Sequence, residues 1–206
     1  MVMAVAISAA AATAAVNGNL APSAEVRRVA DWAIAARDNQ GLPFLIVDKV
    51  NATLFLFDVS GTIGAAVPAL IGEARGDDSV PGIGTRKLAA IRPAERTTPA
   101  GRFVAQLGHD SSGADLLWVD HAAAIALHRA SDRKPGATGI SRVARLASRT
   151  TADNRASYGC IGVAAAFYEG FVRPAFRAGG IVYVLPETRS AMMEFHIPVL
   201  AAANGS

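Results

Sequence analysis

The residue in this chain best suited to covalent chemistry is Cys160, the single cysteine among 206 residues, set in the stretch "NRASYGCIGV". A thiol becomes a nucleophile when a nearby imidazole takes its proton or stabilises its thiolate. Gly159 stands immediately before it. A residue without a Cβ lets the backbone approach a reacting carbonyl and lets neighbouring N–H groups point at a developing oxyanion. Gly162 adds freedom on the other side. Of the four histidines, His109 and His121 fall in loops or strand ends, and His196 lies in the last stretch of the chain. His128 closes the apolar run "AAAIALH", where a strand end would hold the ring rigidly and leave it reachable. A cysteine and a histidine thirty-two residues apart fit a buried structural thiol and a surface imidazole at least as well, if nothing else is considered. One cysteine with scattered histidines has no metal-ligand spacing, so structural zinc is not expected and no cofactor is implied.

Between Arg129 and Arg155 the chain carries seven basic residues, including Arg142, Arg145, Arg149 and Arg155, against only Asp132 and Asp153. Arg142, Arg145 and Arg149 recur at spacings that could share a helix face. The segment is either a solvated loop or an attractor for carboxylates, which arginine forks bind in bidentate fashion. No aromatic residue interleaves these charges before Tyr158, which argues against a platform for single-stranded nucleic acid.

The elements that must position these groups are mostly strand-like. "FLIVDK" and "TLFLFDV" are apolar runs joined by a short polar turn, and "TIGAAVPALIG" reads as a third strand interrupted at Pro68. Residues 73–101 are loop-like, followed by the strand-like "DLLWVD" and "AAAIALH". Ala164 to Phe176 predicts a short helix limited by Pro174, and "IVYVLP" a final buried strand. This succession does not match βαβ alternation. Ahead of the strands, Ser23 is a candidate N-cap, and Val26, Val29, Ala33 and Ile34 recur at helical spacing, predicting a helix over 23–40. Residues 187–206 read as a peripheral tail in which Met192, Phe195 and Val199 are the candidates to pack back. Trp32, Trp118, Phe55 and Phe57 are expected in the core.

With 51% hydrophobic and 18% charged residues, the chain suits one well-cored domain, and a net charge of +3 is too small to diagnose nucleic-acid binding. The first sixteen residues, "MVMAVAISAAAATAAV", carry no charge and include a small-x-small site at Ala12 to Ala14. They predict a signal peptide, atypical in lacking a basic start, rather than a membrane span. An alanine-rich terminal helix is the alternative.

Several blocks, in order, resemble the L,D-transpeptidase catalytic domain, a family of bacterial cysteine enzymes that cross-link peptidoglycan. "FLIVDKVNATLFLFD" is similar to its opening strand pair, "TTPAGRF" (Thr97 to Phe103) to its "TPxGxF" turn, "ALHR" to its catalytic-histidine strand, and "SYGCIGV" to its "[ST]HGCh[RN]" nucleophile motif. The resemblance covers residues 44–186, with the closing "VYVLP" included. Tyr158 stands where the family has histidine, Gly162 where it has Arg or Asn, and the interval from His128 to Cys160 is longer than is common there.

The resemblance implies a mainly β fold, an L,D-transpeptidase-like sandwich or meander with a few short helices. It implies Cys160 as nucleophile, His128 as general base, and the Arg129 carbonyl as the group orienting the imidazole. Backbone N–H groups around Gly159 and Cys160 would form the oxyanion hole, with the Tyr158 phenol still able to donate a hydrogen bond. Ser157, Arg142, Arg149 and Arg155 are the candidate substrate contacts. The expected substrates are peptidoglycan stem peptides, in the periplasm, with no nucleic acid and no membrane span in the mature protein. Two other readings remain open at this point: a peptidase or amidase that uses water as acceptor, and a non-catalytic wall-binding domain, motivated by Tyr158 and Gly162.

Overall fold

In the computed structural model, residues 20–131, 140–148 and 150–198 are described. The expected signal segment, Arg133, Lys134, Arg149 and Val199 lie outside them. Three strands form the first half of the fold: β1 (Phe44–Asp48), β2 (Thr53–Phe57) and β3 (Ile63–Pro68). Every residue of β1 and β2 is buried. Leu45, Val47, Leu54 and Leu56 enter one apolar cluster, while Phe44, Ile46, Phe55 and Phe57 enter another on the opposite face. Burial on both faces is why these strands read as unbroken apolar runs rather than as an alternation.

The chain continues through β4 (Ile71–Gly72), three single 3₁₀ turns, β5 (Gly101–His109), β6 (Asp115–Asp120) and β7 (Ile125–Arg129). After α2 (Arg142–Leu146) come β8 (Arg155–Ser157), β9 (Ile161–Val163), a helical stretch of α3 (Ala165–Phe167) and α4 (Arg173–Ala175) joined by a π-turn, β10 (Gly180–Val184) and α5 (Ala191–Glu194). The main sheet has eight strands in the order β3-β2-β1-β10-β5-β6-β7-β9, and β4 pairs with β8. Two antiparallel meanders, β1–β3 and β5–β7, are thus joined through β10, which runs parallel to β1 and antiparallel to β5. One continuous core takes residues from both halves, Leu45 and Val182 from one, Leu117, Leu127 and Ile161 from the other. The fold is therefore mainly β with a few short helices, as the strand pattern predicts.

α1 (Ala24–Ala35) covers the second face with Val26, Val29, Ala30 and Ala33. Burying each valine is worth about 1.5–3 kcal/mol. Ser23 caps it, accepting from the Val26 N–H at 3.2 Å and donating to Asp48 at the end of β1 at 2.8 Å. The helix stops earlier than its predicted end. Asn39 is buried and donates to the Leu42 and Val59 carbonyls at 3.0 and 3.2 Å, pinning a turn in place of the last helical residues.

Three further expectations are corrected. β5 is a nine-residue strand that begins at the end of the loop-like stretch 73–101 and runs on through residues for which no strand is expected. Its apolar pattern is weak, with Val104 exposed and Ala105 buried. The segment after β10 is not wholly peripheral: the Glu187 side chain is 1% exposed and Phe195 packs among Trp32 and Tyr183. Trp118 is only half-buried, stacked on His121 with ring centroids 4.7 Å apart. Among the described residues, no helix is long and apolar enough to cross a membrane.

Candidate active site

β7 and β9 pair in parallel, with Leu127 opposite Ile161 and His128 opposite Gly162. Partners across a ladder share a face, and so do residues two apart along one strand. This register brings His128 to Cys160, which immediately precedes β9 and shares a face with Gly162. All three line one cavity of about 180 Å³, together with Leu70, Tyr158 and Arg142.

The orientation of His128 is fixed through its backbone neighbour. Nδ1 lies 2.8 Å from the Arg129 carbonyl oxygen. A carbonyl only accepts, so Nδ1 carries the proton and Nε2 keeps the lone pair that can serve a thiol. Arg129 is itself immobilised. Its guanidinium donates to the Asp115 carbonyl and carboxylate at 3.0 and 2.8 Å and to Glu169 at 2.6 Å, and it lies over the Tyr168 ring.

Burial disfavours charge on both reacting groups, pulling His128 down and pushing Cys160 up. Hydrogen bonding and charge attraction between the two outweigh it, so the imidazole titrates above its ordinary value and the thiol below its own. The Arg129 carbonyl adds to the rise of His128, while a backbone hydrogen bond at Ala126 and the charge of Arg142 add to the fall of Cys160. The sulfur also donates a long hydrogen bond, 3.7 Å to the Ala124 carbonyl. A loose thiol contact of that kind, beside a base, is common before substrate tightens a site.

The nucleophile turn is braced from two sides. Ser157 Oγ accepts from the Gly159 N–H at 3.0 Å and donates to the Cys160 carbonyl at 2.6 Å. Ser157 thus closes the turn that presents Cys160, although it also borders the cavity. On the other side lies the "TTPAG" segment. Thr98 Oγ1 donates to the Gly159 carbonyl at 2.8 Å and accepts from the Gly72 N–H at 2.8 Å. Gly159 has φ +125°, and a Cβ there would stand 2.6 Å from the Thr97 carbonyl oxygen. No other residue type fits that backbone.

Tyr158 forms a fixed wall, its ring stacked 4.1 Å from the Arg96 guanidinium, which is anchored to Glu73 and to the Ile91 carbonyl. Leu88, 62% exposed, extends this wall. Of the arginines expected to meet substrate, only Arg142 lines the cavity, and among the described residues no carboxylate pairs with it. Arg155 points inward instead: its side chain is 12% exposed, bound to Glu187 and to the Ala74 carbonyl at 3.3 Å. The pull of a buried carboxylate explains that correction. Arg145 bonds the Asp153 carbonyl at 2.9 Å, and Arg149 lies outside the described residues.

Sequence reasoning passed over the residues behind the turn. Lys49, 1% exposed, donates to the carbonyls of Gly76 at 2.6 Å and Thr98 at 2.9 Å and pairs with Asp77 at 2.8 Å. The available signal was a lysine directly after the buried strand "FLIVD". Among the described residues, no group of three or more His, Cys, Asp or Glu is placed to hold a metal ion.

No protein-family model matches the sequence, and no curated protein matches it. Among solved structures, the chain is similar to a cysteine-to-serine mutant of an L,D-transpeptidase from Enterococcus faecium, at 15% identity and a TM-score of 0.39. The match covers 69% of this chain and 49% of that one, so the chain spans about half the length of that structure.

Proposed function

We propose that the protein is an exported cysteine acyltransferase of the L,D-transpeptidase type, acting on peptidoglycan stem peptides in the periplasm. The observation that carries this reading is geometric: the β7–β9 pairing sets Cys160 and His128 in one cavity, with Nδ1 held by the Arg129 carbonyl. The resemblance of the motifs around Thr97, His128 and Cys160 to those of that family supports the substrate class.

The thiolate attacks the carbonyl carbon following an L-centred residue, forming the C–S bond and moving the carbonyl electron pair onto oxygen. The Cys160 backbone N–H receives that oxyanion, because the Gly159 N–H is already held by Ser157 Oγ. As the oxyanion collapses, the C–N bond breaks and the leaving amine takes the proton from His128. An acceptor amine then gives a proton to His128, attacks the thioester and releases the thiolate. Arg142 attracts the carboxylates of the stem peptide to the cavity. Tyr158 and Leu88 offer an apolar wall to the aliphatic part of the donor.

Intact-mass measurement after incubation with a carbapenem or a tetrapeptide muropeptide tests this. A covalent adduct is expected on the wild type and is lost in Cys160→Ala. No adduct, or one that survives the substitution, overturns the assignment, and release of free stem peptide without cross-linked product moves the protein to the peptidases. Fractionation tests the compartment, with cytosolic protein as the contrary result.

A further inference from the structure

The peptide between Gly159 and Cys160 is the one whose N–H must face a developing oxyanion. Among the described residues its carbonyl end has a single side-chain partner, the Thr98 hydroxyl at 2.8 Å. In a trans peptide the carbonyl and the N–H point in opposite directions. A bond that fixes the Gly159 oxygen therefore fixes the Cys160 N–H as well, and aims it away from Thr98. Glycine is the residue whose backbone most needs such fixing, since it has the widest choice of φ and ψ.

We propose that Thr98 is a positioning residue for acyl transfer, setting the direction of the Cys160 N–H through the Gly159 carbonyl. The inference rests on the acyl-transfer reading above. Three features make Thr98 suited to the task. Its hydroxyl accepts from the Gly72 N–H while donating to Gly159, so its one proton is committed to that carbonyl. Its own carbonyl is gripped by the buried Lys49 ammonium at 2.9 Å, which also pairs with Asp77. Thr98 is 2% exposed, so water does not compete for these bonds. The path from the buried ion pair to the nucleophile's peptide is thus two hydrogen bonds long. Thr98 touches neither substrate nor sulfur, and its effect is confined to orientation.

Two reactions of the same thiol separate this role from a merely structural one. Alkylation by iodoacetamide needs only the thiolate, whereas acylation by an activated ester such as p-nitrophenyl acetate also needs the oxyanion site. Thr98→Val removes the hydroxyl and keeps the shape. It is expected to slow acylation about 10- to 100-fold, the scale of a misaimed oxyanion donor. The alkylation rate and its pH profile should stay within about twofold of the wild type, and Thr98→Ser should restore acylation. If the valine variant does not fold, Thr98→Ala carries the same comparison. Acylation at the wild-type rate overturns the inference, as does an equal loss in both reactions. A wild-type protein that alkylates but never acylates overturns the acyl-transfer reading and this inference with it.

Discussion

Replacing Lys49 with Met keeps most of the aliphatic stem and deletes the buried charge. Three acceptors then lose their donor: the carbonyls of Gly76 and Thr98 and the Asp77 carboxylate. Asp77 would keep the N–H groups of Glu187 and Thr188, at 2.7 and 2.8 Å, and Glu187 would keep Arg155. Removing one partner of a buried ion pair costs about 3–5 kcal/mol, and the remaining partners of Asp77 place this case near the lower end, about 3 kcal/mol. Against a total of about 5–15 kcal/mol for a typical domain, that is a large fraction. Urea unfolding followed by fluorescence of Trp32 and Trp118 measures it, as a lower midpoint at unchanged slope. Adding Asp77→Asn removes the stranded charge and should recover at least about 1 kcal/mol. The acid limb gives a second check. Burial alone would raise the Asp77 carboxyl, but Lys49 and the donors at Thr188 and Glu187 hold it well below the usual carboxylate range. Its contribution is therefore present above the ordinary carboxylate pKa and lost as pH falls through the depressed folded value. Lys49→Met should flatten that acid-side loss. A destabilisation below about 1 kcal/mol, or a double variant no better than the single, would refute the reasoning.

Two other outcomes follow from the site. The pH midpoint for iodoacetamide alkylation of Cys160 should lie below that of an ordinary thiol, because His128 overcomes the effect of burial. In His128→Gln only burial and weaker partners remain, so the midpoint should rise and acylation fall about 10²- to 10⁴-fold; an unmoved midpoint would remove His128 from its role. Gly159→Ala and Gly162→Ala should differ sharply in stability. At Gly159 the new Cβ meets the Thr97 carbonyl at 2.6 Å with φ +125°, a cost of about 2–5 kcal/mol. At Gly162 φ is not left-handed and the new Cβ meets the Leu70 Cβ at 3.3 Å. A shift of a few tenths of an ångström relieves that contact, at a cost of about 1 kcal/mol, and equal midpoints in denaturant would contradict this.

Much of the strand framework was legible because its strands are buried on both faces and so appear as continuous apolar runs, "FLIVD", "TLFLF" and "GIVYV". β5 was not, because its residues alternate between partial cover and exposure without a clean apolar period. The end of α1 was misread for a similar reason: the turn after Ala35 is held by the side chain of Asn39, which leaves no periodic trace. Among the site residues, Cys160, Gly159 and His128 stood out by type and setting. The arginines show the limit of that approach. Arg142 and Arg155 belong to one basic segment, yet Arg142 borders the cavity and Arg155 turns inward to Glu187.

The sequence by itself determined the mainly β character, the capped N-terminal helix and the identity of the one thiol, because these depend on local composition and period. Only the tertiary structure decided which histidine meets that thiol and what stands behind it. Parallel pairing of β7 with β9 closes thirty-two residues of chain between His128 and Cys160. The bonds from Lys49 to Thr98 and from Thr98 to Gly159 span still longer separations. Contacts of that kind are made by the packing of distant segments around a shared core, and no local pattern encodes which of several polar residues will be enclosed there.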